Sequence, residues 1–314
     1  MNRRFDRGVT NMSELGFSAL DQFDESKLRF ADIGGQLIRY YEDGAGEPLI
    51  LIPGGEYGSL YSLDAWSLNF AGLAKHFHIY ALDKPGQAYS DIPQQDSDYT
   101  FEWMFDSICR FVRLLGIAQA HFVGHSRGGL ACARMALDHP ELIKTAVLVD
   151  SSTTAPEDPH VPSDLFYDVV VRGTASGPPS LATVRVEPEA QSVSKAHITS
   201  GFLERLLKIA QRPSVIEAQT RMHTLRHSVW YPSLYRERAR TLAQIDERGL
   251  PVPTLLIWGF NDRAAPLHLG HRLFERICPH TPDAEFHVLN RTGHYVFREQ
   301  WHKFNRLVES FCSK

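Results

Sequence analysis

The 314-residue chain is 43% hydrophobic and 22% charged, and its 37 acidic side chains nearly cancel its 33 basic ones, leaving a formal net charge of -4. This is the composition of a globular protein with a sizeable core, and the scatter of the basic residues excludes a nucleic-acid-binding face. Residues 1–17 are polar, carry Arg3, Arg4 and Arg7, and lack a following apolar run; no segment has the uninterrupted apolar length of a membrane span. A cytoplasmic protein with a small-molecule partner, and with neither nucleic acid nor membrane as a partner, is expected.

Residues 1–26 show no periodicity and read as an N-terminal arm. Residues 28–31 and 36–41, joined across Gly34-Gly35, predict a hairpin leading to the first buried strand at 48–52. Strands at 76–82, 120–123 and 145–149 then alternate with helices at 101–115 and 129–139. Such alternation predicts right-handed βαβ units around a doubly wound, mostly parallel sheet covered on both faces. From Ser151 to about Leu250 the pattern becomes Pro-rich and polar, with helices at 201–209 and 214–223. It reads as a helical lid inserted after strand six, because connections that long are rarely structureless. A strand at 254–258, a helix at 267–277, a strand at 285–289 and a helix at 300–311 complete an α/β core made of residues 27–150 and 251–314, with the lid at 151–250. Four widely spaced cysteines, Cys109, Cys132, Cys278 and Cys312, in apolar surroundings predict reduced core residues rather than disulfides or zinc ligands.

The chemistry centres on Gly124-His125-Ser126-Arg127-Gly128-Gly129, a serine between glycines where a strand signal meets a helix signal. That pattern is a nucleophile elbow, in which a sharp turn lifts the serine hydroxyl above the sheet edge. A serine hydroxyl needs a base, and the base needs an acid to hold its tautomer. Asp262 follows the strand at 254–258 and His294 the strand at 285–289, in the order and position required of Ser, acid and His on this kind of sheet. Asp150, directly after the strand at 145–149, is the rival acid. Oxyanion donors are expected from the N–H of Arg127 and from the loop Pro53-Gly54-Gly55-Glu56-Tyr57-Gly58, with Gly55 as the donor there. His268 and His271 read as a solvated helix face, no metal-ligand pattern appears, and neither a metal nor another cofactor is called for.

With these residues in place, the chain over residues 28–314 resembles the α/β hydrolases. Asp83-Lys84-Pro85-Gly86-Gln87-Ala88-Tyr89-Ser90-Asp91 is similar to a loop common in that fold, with Ala88 where its second glycine stands. Trp258-Gly259 with Asp262-Arg263, Gly293-His294-Tyr295 and Lys303-Phe304-Asn305-Arg306 resemble the C-terminal third of the meta-cleavage-product hydrolases, serine enzymes that split a carbon–carbon bond in ring-opened aromatic dienoates. The resemblance implies that Arg205 is a lid arginine binding the dienoate, that His125, Glu56 and Tyr295 also face substrate, and that the enzyme forms a homo-oligomer, a dimer. Two departures stand out: His125 where the family carries asparagine, and Pro53 where it carries histidine. The alternatives are an ester or lactone hydrolase and a cofactor-independent oxygenase or binding protein on the same fold.

Overall fold

The computed structural model describes residue 21, residues 23–158 and residues 178–314. Most of the predicted arm, residues 1–26, and part of the predicted lid therefore lie outside the described residues. Eight strands form one sheet: β1 (Leu28–Asp32), β2 (Leu37–Asp43), β3 (Glu47–Ile52), β4 (Phe77–Leu82), β5 (Ala120–His125), β6 (Ile143–Val149), β7 (Thr254–Gly259) and β8 (Ala284–Leu289). Their spatial order is β1-β2-β4-β3-β5-β6-β7-β8. Only the hairpin edge is antiparallel, β1 to β2 and β2 to β4; every later pairing is parallel.

The near-continuous apolar runs of the central strands follow from burial on both faces. Side chains alternate across the pleat, so Ile50, Ile52, Phe122, Leu148 and Leu256 pack on one face, under the helices α1 (Phe101–Leu114) and α2 (Arg127–Asp138). Leu49, Leu51, Val123, Val147, Val149 and Leu255 pack on the other. Truncating any one of these to alanine would cost about 2–5 kcal/mol.

Between β6 and β7 the described chain forms two short helices (Leu181–Val184 and Val186–Ala190), then α3 (Ser200–Ala210), α4 (Pro213–Leu225), a five-residue π-helical turn (Arg226–Trp230) and α5 (Tyr231–Arg248). Within the span 151–250 expected for the lid, α5 packs on the core. Trp230, Leu234 and Ile245 join the same apolar cluster as Ile108 of α1 and Leu137 of α2, so α5 flanks the sheet beside them. Helix α6 (Leu267–Ile277) covers the same face, and α7 (Trp301–Cys312) covers the opposite one through Phe304, Val308 and Phe311. Cys109, Cys132 and Cys312 are buried free thiols as expected, but Cys278 is exposed, because it falls just past the last turn of α6 on its solvent side. Among the described residues no helix is long and apolar enough to cross a membrane.

Candidate active site

Ser126 stands between β5 and α2 with φ 51° and ψ -120°, a left-handed conformation rarely adopted by a residue with a side chain. The surrounding structure holds that strain. Its N–H donates to Val149 O at 2.8 Å, while its own carbonyl accepts from Gly129 N–H at 2.8 Å and from Ser151 Oγ at 2.7 Å. Close approach is the reason for glycine at 128: a Cβ there would lie 2.5 Å from Ile52 O and 2.7 Å from Pro53 O, so α2 rests directly on the end of β3.

The acid and the base sit on loops tied to each other. Asn261 N–H donates to Thr292 O at 2.9 Å, extending the β7–β8 pairing outward and bringing Asp262 beside His294. His294 Nδ1 meets Asp262 Oδ2 at 2.6 Å, with both side chains buried. The other carboxylate oxygen, Oδ1, accepts from the N–H groups of Ala264 and Ala265 at 2.8 and 2.9 Å. A carboxylate on Nδ1 selects the tautomer protonated there, which leaves Nε2 as the basic nitrogen. That Nε2 is buried and makes no hydrogen bond among the described residues. The His294 backbone is held as firmly as its ring, by N–H donation to Gln191 O at 2.8 Å and acceptance at its carbonyl from His125 Nε2 at 2.9 Å. Asp150, the rival acid, points its Oδ1 at Gly259 N–H (2.7 Å) instead. Burial and the charge of Asp262 push its carboxyl well above the usual range.

Of the two segments expected to supply oxyanion donors, one follows Ser126 directly and the other packs against it through Gly54. Arg127 opens α2, whose first N–H groups point out of the helix toward an anion. Gly54 packs against Ser126, a Cβ at 54 coming 3.0 Å from Ser126 Cβ. Its carbonyl is taken by Gln87 Nε2 at 2.9 Å, and because the peptide is planar and trans the Gly55 N–H is turned the opposite way. Gly55 adopts φ 78°, and its carbonyl accepts from the buried Lys84 Nζ at 2.7 Å. Lys84 and Gln87 come from the Asp83–Asp91 loop, so that loop orients the oxyanion loop.

The expected substrate residues fare differently. The guanidinium of Arg205 is held by carboxylates: Nη2 bonds Asp21 at 2.7 Å and Ser67 Oγ at 3.1 Å, Nε lies 3.2 Å from Asp64, and the group stacks on Phe23. Asp64 in turn is shared with buried Arg39, making a structural network between α3 and the sheet. His125 faces inward: its ring is fully buried, 4.5 Å from the His294 ring and 4.9 Å from Phe297, and burial keeps it neutral. Tyr295 is buried as well, stacked 5.4 Å from Tyr61, whose hydroxyl bonds Gln191. Glu56 does sit beside the elbow, gripped by Arg226 at 2.6 and 2.9 Å and lying 3.5 Å from Arg127.

Three residues here escaped the sequence reading. Arg226 sits on the π-helical turn, a feature with no simple sequence period. Lys84 was visible within the Asp83–Asp91 loop, but its burial was not. Glu187 lies in the helix Val186–Ala190, one turn before Gln191, and its charged neighbours are His294, Arg127 and Glu56. Its side chain is half-buried, and burial raises its carboxyl to about 7.

Comparison with known proteins agrees with this geometry. Residues 47–300 match the α/β hydrolase fold family. A 2-hydroxy-6-oxononadienedioate/2-hydroxy-6-oxononatrienedioate hydrolase of Pseudomonas sp is 30% identical over 209 residues, 64% of this chain and just under two thirds (65%) of that protein. The 2-hydroxymuconate semialdehyde hydrolase of Pseudomonas sp. (strain CF600) is 27% identical over 289 residues, 90% of this chain and 95% of its own. The solved meta-cleavage product hydrolase of Pseudomonas fluorescens IP01 superposes with a TM-score of 0.71 at 26% identity, covering 90% of this chain and 96% of that one. A sheet of this order, a strained serine at the β5–α2 turn and a match spanning most of the length together make the chain a member of the α/β hydrolase fold family.

Proposed function

We propose that this protein hydrolyses a carbon–carbon bond in a 2-hydroxy-6-oxo-dienoate formed by aromatic ring opening, with Ser126 as nucleophile, His294 as base and Asp262 as acid. The observation that carries the reading is the 2.6 Å bond from His294 to Asp262 on the loops after β7 and β8, opposite a serine in the elbow conformation. Relatives named as a 2-hydroxymuconate semialdehyde hydrolase and a meta-cleavage product hydrolase align along most of the chain.

In this mechanism the dienol first ketonises. Ser126 Oγ then adds to the ketone carbon as its proton passes to His294 Nε2, and the new oxyanion is held by the Gly55 and Arg127 N–H groups. Collapse breaks the carbon–carbon bond, and the electron pair leaves on the dienoate fragment, which takes the proton back from His294. Water, activated by the same imidazole, releases the acyl group as a carboxylic acid. Arg127, Arg226 and Glu56 sum to one positive charge beside the elbow, and in this account they replace Arg205 as the ground for the substrate carboxylate.

The engagement of Arg205 by Asp21 and Asp64 favours one second reading, an ester or lactone hydrolase whose substrate has no anionic end. Parallel assays decide between them. Turnover of a chromogenic dienoate supports the first reading, and fast nitrophenyl ester hydrolysis without dienoate loss would replace it by the second.

A further inference from the structure

Behind the triad lies a carboxyl group that this mechanism does not use. Asp150 follows β6 with φ 45°, is fully buried, and satisfies only Oδ1, on Gly259 N–H; its buried Oδ2 has no hydrogen-bond partner among the described residues. The titratable groups facing it are Asp262 from the loop after β7, His125 from the end of β5, and His294 and Glu299 from beyond β8. One side-chain nitrogen or oxygen from each of His125, Asp150 and His294 fits within a 4.8 Å cluster. No hydrogen bond joins Asp150 to either histidine among the described residues. His125 Nε2 donates to His294 O and His294 Nδ1 is on Asp262, while the other nitrogen of each ring has no hydrogen-bond partner among the described residues.

Asp262 is different. A carboxylate has about four acceptor sites, and three are filled by Ala264, Ala265 and His294. We propose that Asp150 is a positioning residue whose neutral carboxyl donates its Oδ2 proton to the open acceptor site of Asp262, making the triad acid a carboxyl–carboxylate pair that shares one negative charge. The burial of both groups and their mutual repulsion keep the proton on Asp150. Two consequences follow: Asp262 is fixed in rotation toward His294, and removing the Asp262 charge lets Asp150 ionise as a reserve acid. The inference rests on the triad reading but not on the carbon–carbon substrate.

The test is therefore run with a nitrophenyl ester on the full chain, with thermal melts of each variant. Asp150→Ala is expected to lower kcat about 10- to 100-fold by removing the donor. Asp150→Asn keeps one donor and one acceptor and is expected to recover most of that loss. In the Asp262→Asn background, adding Asp150→Asn is expected to cost at least about tenfold more, since the reserve acid is gone. The proposal is overturned if Asp150→Asn is as damaging as Asp262→Asn, which would make Asp150 an ionised acid in its own right, or if it is silent in both backgrounds. Should Asp150→Ala fail to fold, the Asp262→Asn comparison still decides. Wild-type ester turnover by Ser126→Ala would instead overturn the triad itself.

Discussion

Replacing Gly128 by alanine tests whether the elbow and the oxyanion loop form one rigid unit. The added Cβ would sit 2.5 Å from Ile52 O, where an unstrained contact needs roughly 3.5 Å, so α2 and the end of β3 must separate by about 1 Å. Those two elements lead into the two proposed oxyanion donors, the N–H of Arg127 and that of Gly55. A displacement of that size at a reacting centre costs about 100-fold, and complete loss of one donor costs about 100- to 1,000-fold. Overpacking adds about 1–3 kcal/mol of destabilisation. Steady-state kcat on a nitrophenyl ester, beside a circular-dichroism melt, reads both effects. A variant that melts lower yet keeps wild-type kcat would refute the coupling of helix to loop.

Other expectations follow from the site and its surroundings. Glu187 is neutral below about pH 7 and above it adds a negative charge beside His294 and Arg127, so KM for an anionic dienoate should rise between pH 6 and 8. Glu187→Gln should flatten that rise; an identical profile in the variant would mean that this carboxyl does not act on the substrate. Arg205→Ala should leave kcat/KM within a few-fold of wild type but destabilise the fold by on the order of 2–3 kcal/mol, because Asp21 and Asp64 lose a buried partner while Asp64 keeps Arg39. A large KM increase with an unchanged melting temperature would restore the arginine to the substrate. His125→Phe keeps a ring against Phe297 but leaves the His294 carbonyl without its donor, and a loss of about 1–3 kcal/mol in thermal stability is expected. No change in the melt would mean that this bond does not hold the His294 loop.

Much of the architecture was legible because it is locally encoded. The apolar runs of β3 to β7 announce burial on both faces, and Ser126, Asp262 and His294 declare themselves by their positions just past strand ends. What was not legible depends on distant parts of the chain. Arg205 matched a lid position, but nothing near it in sequence says that Asp21 and Asp64 would claim it. His125 read as a pocket residue because it neighbours the nucleophile, yet consecutive side chains at a sharp turn diverge, and its own turns inward to His294 O. The substitution at Ala88 was visible as a departure, and the structure places that residue at φ 44°, the left-handed backbone that explains why glycine suits the position. The packing of α5 on the core was not legible either, because a long polar insertion carries no local signal of which helix returns to the sheet.

The central claim is serine-dependent carbon–carbon hydrolysis, and one measurement addresses it directly: consumption of 2-hydroxy-6-oxo-6-phenylhexa-2,4-dienoate by wild type and Ser126→Ala, followed by loss of the dienoate chromophore and by product mass. The wild type should release benzoate and a five-carbon hydroxydienoate, and Ser126→Ala should be slower by about 10⁴- to 10⁶-fold. An intact dienoate after incubation with a wild-type enzyme that hydrolyses esters, or undiminished cleavage by Ser126→Ala, would contradict the account.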